Sequence, residues 1–175
     1  MIETRDLILR KAAFDDWRDL YENVWSRKET ARYMFWALTS SEEDAKDRME
    51  RTIVFQQNNP YSYIICEKAG GKVIGFAGMR EVESGVYEET GIAIGPEYVG
   101  RGYGKQILNA LVEMAFRELK GERFHSCCRS ENEASRCLQR SCGFTFSHTE
   151  DCIDKRDGSA YVLEHYDLRK RNTEE

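Results

Sequence analysis

The sequence predicts an α/β fold of the α+β kind: a mixed, mostly antiparallel central sheet of about seven strands flanked by helices. Three observations carry this. Residues 61–94 hold three strand-like apolar runs separated by glycine turns, residues 86–128 read as strand, glycine-rich loop, helix, strand, and apolar residues recur at helical spacing within 17–24, 45–53 and 107–119. With 175 residues, 41% of them hydrophobic, the chain can bury one sizeable core and is short for two. Residues 1–175 are therefore expected to form a single domain.

The first predicted strand is DLILR (6–10). Asp15 is read as the cap of a helix in which Trp17, Leu20, Tyr21 and Val24 follow the i, i+3, i+4, i+7 rule. A second helix starts at the capping box Ser40-x-x-Glu43, sets Ala45, Met49 and Ile53 on one face, and stops at QQNNP (56–60). The connection between them, YMFWAL (33–38), is strongly aromatic. YSYIICE (61–67) and KVIGFAGM (72–79) form a hairpin about Gly70 and Gly71, and a turn at Ser84 and Gly85 leads into VYEETGIAI (86–94). After the glycine loop, Ile107, Leu108, Leu111, Val112, Ala115, Phe116 and Leu119 line one helix face, Gly121 terminates the helix, and RFHSCC (123–128) follows as a strand. This βαβ unit requires the fourth and fifth predicted strands to run parallel. A short helix from Glu133 to Ser141 begins at the box Ser130-x-x-Glu133 and ends at Gly143. Two last strands, near 144–149 and 159–167, flank the turn DKRDGS (154–159), and a charged tail, 169–175, is expected to fray.

A net charge of −5 gives no general grip on nucleic acid, so a nucleic-acid partner is not expected. The N-terminus lacks the long apolar region of a signal peptide, and no apolar run reaches the ~18 residues of a membrane span. A soluble, cytoplasmic protein with no membrane partner is the expectation. Six cysteines occur without a CxxC pair, which reads as reduced thiols rather than a disulfide framework. HSCC (125–128) offers metal-ligand types but not four at structural-zinc spacing, so no metal is expected.

The stretch VGRGYGKQIL (99–108) places three glycines at alternate positions ahead of a helix N-terminus, where unpaired N–H groups and the macrodipole favour an anion. A Walker loop fails because Val99 replaces its first glycine and Gln106 its hydroxyl residue. A dinucleotide fingerprint fails because Lys105 stands where its third glycine belongs. A third pattern, [Q/R]xxGxG/A, is met at Gly102 and Gly104 and missed at Val99.

That pattern, within ETGIAIGPEYVGRGYGKQILNALVEMAF and followed by SENEASRCLQRSCGF, resembles the core of the GNAT superfamily of acetyl-CoA-dependent N-acetyltransferases. TRDLILR and EETGIAIGPEYVGRGYG resemble its RimJ/RimL branch, known for acetylating protein N-termini. The resemblance implies a sheet whose fourth and fifth strands splay into a slot. In it the backbone of Ile92, Ala93 and Ile94 would pair with the pantetheine arm and polarise the thioester carbonyl. The N–H groups of Gly100, Arg101, Gly102, Tyr103, Gly104 and Lys105 would hold the pyrophosphate of acetyl-CoA, with Arg101 and Lys105 adding charge. Asn132 with Gly143-Phe144 resembles a second cofactor motif, and Ser135, three residues after Asn132, would contact the cofactor beside it. Glu89 matches a glutamate that many members use as general base; the bland alternative is one acid of a solvated Glu88-Glu89 pair. Gln139 stands where members often carry a tyrosine acid, which leaves Ser135 as the nearest hydroxyl for the departing sulfur. Cys142 reads as core rather than nucleophile. Tyr33, Phe35 and Trp36 wall the acceptor site or serve as plain core, the sequence dividing the two evenly.

The implied activity is acetyl transfer to a primary amine by direct attack, a protein N-terminal amine being the first expectation and a polyamine, aminoglycoside or amino acid the alternatives. A noncatalytic acyl-CoA-binding sensor is the rival of another class. Oligomeric state, a homodimer included, stays open at this level.

Overall fold

The computed structural model of the chain describes residues 1–170. Eight strands, β1 (Ile2–Glu3), β2 (Leu7–Arg10), β3 (Ser62–Glu67), β4 (Val73–Glu83), β5 (Val86–Ile94), β6 (Arg123–Arg129), β7 (Thr145–Ile153) and β8 (Ala160–Arg169), take the order β1-β2-β3-β4-β5-β6-β8-β7. Five helices accompany them: α1 (Trp17–Leu20), α2 (Lys28–Ala31), α3 (Glu42–Asn58), α4 (Tyr103–Glu113) and α5 (Glu133–Ser141). β1 with β2, β2 with β3, β3 with β4, β6 with β8 and β7 with β8 pair antiparallel, and β5 with β6 pairs parallel. The strand beyond the expected seven is β1, whose return is set by Thr4 donating its N–H to the Leu7 carbonyl at 2.9 Å. Among the described residues no helix is long and apolar enough to cross a membrane.

The chain divides into two compact units, one of Met1–Arg80 with Thr90–Ala110 and one of Glu81–Glu89 with the chain from Leu111 onward. The core of the first is built from Trp17, Leu20, Val24 and Trp25, from Ala45 and Met49 of α3, and from Ile64, Val73 and Ala93 of the strands. After Leu20 the helix widens into a π turn, Tyr21–Trp25, closed by the Ser26 N–H on the Tyr21 carbonyl. Val24 and Trp25 of that turn both face inward.

In the second unit β6 alternates with Phe124, Ser126 and Cys128 turned inward, and Phe124 meets Phe144 edge-on at 6.0 Å. β8 runs to Arg169, which pairs with Arg123, and the Lys170 N–H donates to the Glu122 carbonyl. The expected fraying thus does not begin at 169; residues 171–175 lie outside the described residues.

Helix ends depart from the sequence reading by small, instructive steps. Asp15 caps nothing: Asp16 accepts from the Ala13 N–H at 2.7 Å and is held bidentately by Arg10. α3 is capped by Ser41, which accepts from the Asp44 N–H, while Ser40 donates to the Asp44 carboxylate. α5 is capped by Asn132 rather than Ser130. After α4 a second π turn, Met114–Glu118, ends with Lys120 at φ 60°, so the left-handed residue is Lys120 and not Gly121. Gly121 has another reason to be glycine, since a Cβ there would sit 2.8 Å from the Tyr87 ring and 2.9 Å from the Ala115 carbonyl oxygen.

These two neighbours should respond oppositely to substitution. Gly121→Ala is expected to destabilise by about 1–3 kcal/mol through overpacking. Lys120→Gly is expected to be neutral or stabilising by up to about 1 kcal/mol, by relieving the left-handed backbone. Denaturant unfolding of both variants beside the wild type checks the signs.

Candidate active site

The glycine loop belongs to the first unit. Gly100 and Gly102 adopt φ 83° and 76°, and a Cβ at either would meet nothing within 4 Å. Conformation therefore demands glycine there, and the space beside the loop is open. Gly104 lies in the first turn of α4, whose leading N–H groups have no carbonyl one turn earlier to accept them. These residues, with exposed Lys105, form a cradle suited to a phosphate.

Arg101 is engaged otherwise than its sequence position suggests. Its guanidinium reaches the Glu67 carboxylate at 3.0 Å and the Glu97 carbonyl at 2.9 Å, and it lies over the Tyr98 ring. Buried Tyr103 donates to the same Glu67 oxygen at 2.6 Å, a bond that pushes its phenol above the ordinary value. Glu67, which nothing in the sequence singled out, thus fastens the loop from the end of β3. Gln106 fastens α4 from the other side: its Oε1 accepts from the Asp6 N–H and the Thr4 hydroxyl, and its Nε2 donates to the Asp6 carboxylate.

Ile92, Ala93 and Ile94 end β5, with Ala93 buried. A Cβ on Gly75 would come within 2.2 Å of the Ala93 carbonyl oxygen, so β4 can lie this close only with glycine there. Thr90 and Gly91, just before them, line a cavity of about 350 Å³ in the first unit. Its walls are mainly apolar and aromatic, with Trp25, Trp36, Phe55, Ile64 and Phe76 among them, and α3 contributes Arg48, Thr52 and Gln56. Of the three aromatic residues expected near an acceptor, Trp36 lines this cavity. Phe35 is 66% exposed, and Tyr33 carries the Arg32 guanidinium over its ring at 5.0 Å.

The second unit holds Glu89. The parallel register of β5 and β6 runs over Val86–Glu88 against Arg123–His125. One residue further on, Ser126 donates its hydroxyl to Glu89 Oε2 at 2.7 Å. The same hydroxyl accepts from Gln139 Nε2 at 2.9 Å, and the Cys128 thiol approaches Gln139 Oε1 at 3.9 Å. Ser126 and Gln139 are both 0% exposed. The residue standing where a tyrosine was looked for is therefore a buried amide that orients a serine, which in turn orients the carboxylate. Ser126 was missed by the sequence reading, although the period-2 pattern of RFHSCCR marks its inward face.

Asn132 Oδ1 accepts from the Ser135 N–H at 3.1 Å, so its side chain holds the start of α5, and the Ser135 hydroxyl interacts with the Cys128 thiol. Burial, reinforced by Glu89 and Glu88, pushes the Cys127 thiol up to about 12, and burial raises Cys128 too. All six cysteines are free thiols, and among the described residues no group of three potential metal ligands forms a cluster.

Residues 6–145 match the family model described as an acetyltransferase (GNAT) domain. The chain belongs to the GNAT acetyltransferase family. It is accordingly an acyltransferase, with acetyl-CoA as the cosubstrate of its class. N-alpha-acetyltransferase RimI of Mycobacterium tuberculosis is 30% identical over 89 residues, which are 49% of this chain and 54% of that protein; the match thus spans about half of each. The uncharacterized N-acetyltransferase YnaD of Bacillus subtilis is 25% identical over 94% of both chains. Among solved structures, a GNAT-family acetyltransferase from Bacillus anthracis shares the fold at TM-score 0.82 and 20% identity, covering 96% of this chain and 97% of its own. A spermidine N-acetyltransferase from Vibrio cholerae, in complex with CoA and spermine, does so at TM-score 0.75 and 18% identity, over 95% and 96%.

For this GNAT chain, Gly102→Val should raise the acetyl-CoA dissociation constant about tenfold, the left-handed backbone costing a β-branched residue roughly 1–2 kcal/mol. Gly102→Asn should lose less, because asparagine enters that region more readily. Titration calorimetry on variants with unchanged circular dichroism distinguishes the two.

Proposed function

We propose that the chain moves the acetyl group of acetyl-CoA onto a primary amine by direct attack within a ternary complex, residues 1–175 acting as one acetyltransferase domain. The observation that carries this reading is the Glu89 carboxylate, fixed in place by a buried serine and a buried amide. A solvated surface acid has no use for such support.

Bound acetyl-CoA supplies an activated thioester. The backbone N–H groups of Gly100 to Lys105 take the pyrophosphate, with Lys105 adding charge, while Arg101 and Tyr103 hold the loop's shape through Glu67. The backbone of Ile92, Ala93 and Ile94 pairs with the pantetheine arm as a surrogate strand. The cavity of the first unit is assigned to the acceptor. Glu89 is the carboxylate assigned to the amine's proton, because only a neutral amine carries the lone pair that attacks. Ser126 holds one carboxylate oxygen and thereby sets the direction from which the proton is taken. Ser135 is the hydroxyl assigned to the departing thiolate; neighbouring Cys127 and Cys128 stay protonated and serve as packing. Asn132 supports Ser135 by capping α5.

RimI by its name acts on an α-amine, and the Vibrio enzyme by its title on spermidine, so relatives point to primary amines of two kinds. For this chain a protein N-terminal amine was the first expectation, and a small amine is the alternative that a cavity of about 350 Å³ favours.

Glu89→Gln should keep acetyl-CoA affinity and lower kcat by roughly 10² to 10⁴, the range for loss of a general base. The deficit should shrink as pH approaches the acceptor's own pKa, where more amine arrives neutral. Ser126→Ala and Gln139→Leu should lower kcat less and leave that pH trend in place, as positioning residues do. A coenzyme A release assay from pH 6 to 10 reads all three; binding without turnover of any amine would replace the enzyme by an acyl-CoA sensor.

A further inference from the structure

The cavity in the first unit contains one charge, and it is positive. Arg48 reaches it from α3 with its guanidinium 4.7 Å from the Trp25 ring and 4.5 Å from the Trp36 ring. Only Nη1 is engaged, donating to the Thr39 hydroxyl at 2.9 Å and, more weakly, to the Ala37 carbonyl at 3.4 Å. Among the described residues no carboxylate pairs with Arg48, and no Asp or Glu lines the cavity. Burial and nearby Arg51 lower this guanidinium to about 10, the mark of a cation without a counter-charge. Beside it the Trp36 indole N–H is buried with no acceptor. The guanidinium groups of Arg10, Arg101 and Arg136, by comparison, each have a carboxylate.

We propose that the acceptor carries a carboxylate next to its amine, an amino acid with an apolar side chain, held by the Nε–Nη2 edge of Arg48. A guanidinium edge takes a carboxylate through two parallel hydrogen bonds, and Trp25 and Trp36 on its faces keep that edge presented. The indole N–H of Trp36 is a further donor for the same anion. The apolar walls formed by Leu20, Ile64 and Phe76 take the side chain. A polyamine would bring further ammonium groups against an uncompensated cation with no acid to receive them, and a protein N-terminus has no carboxylate beside its amine. This inference rests on the reading of the cavity as the acceptor site and narrows its substrate class.

Coenzyme A release is measured with L-leucine, L-methionine and L-phenylalanine, with their α-carboxamides, and with spermidine, on the wild type, Arg48→Gln and Arg48→Lys. The free acids should exceed their amides at least tenfold in kcat/KM, Arg48→Gln should abolish that ratio mainly through KM, and Arg48→Lys should restore part of it. Acetyl-CoA affinity measured on each variant confirms a folded cosubstrate site. Amides or spermidine turned over as well as the acids, or an acid-to-amide ratio unchanged in Arg48→Gln, overturns the carboxylate assignment while leaving acetyl transfer intact. No turnover with any of these amines, in a protein that binds acetyl-CoA, overturns the cavity as acceptor site and this inference with it.

Discussion

A hydroxyl and an amide with no solvent exposure must find their partners inside the protein, and in this chain that requirement sets the geometry of its key carboxylate. Gln139 has one donor direction toward Ser126, Ser126 has one proton to give, and Glu89 receives it. Unsatisfied, each buried group would cost about 1–3 kcal/mol, so the three are held in a single arrangement. The register of β5 against β6 is constrained by the same bonds, because a slip of one residue would turn Ser126 away from Glu89 and every neighbour to the opposite face. A carboxylate on a strand thereby acquires a fixed orientation, which the proposed proton transfer requires.

The strands and helices were largely legible because they are written in local periodicity: VYEETGIAI is β5 from first residue to last, and RFHSCC became β6 with one residue added. Helix starts were legible only to within one or two residues. Which of two nearby oxygens is used depends on how the chain enters the helix, so Ser41 and Asn132 cap where Ser40 and Ser130 were read, and Asp16 rather than Asp15 accepts the Ala13 N–H ahead of α1. The π turns after Leu20 and Glu113 left no signal, since an inserted residue does not change composition.

The site was legible where backbone conformation decides and obscure where distant side chains meet. Gly100 and Gly102 announced a positive-φ loop, and the family resemblance implied a pyrophosphate as the group it would hold. Arg101, by contrast, read as charge for that ligand, yet it is tied to Glu67, 34 residues away in sequence. Arg48, within EEDAKDRMER, was not singled out at all; its aromatic neighbours come from residues 25 and 36, a proximity that no local pattern encodes. The same holds for Gln139, whose amide became meaningful only when Ser126 was found beside it.

The clasp of Gln106 on Thr4 and Asp6 joins the helix behind the glycine loop to the beginning of the chain. Coupling of this kind is reciprocal. Whatever steadies the start of α4 also steadies β1 and the turn after it, so occupancy of the cradle would register as slower amide hydrogen exchange at Asp6 and Leu7. The turn between β1 and β2 becomes a local thermometer of the loop.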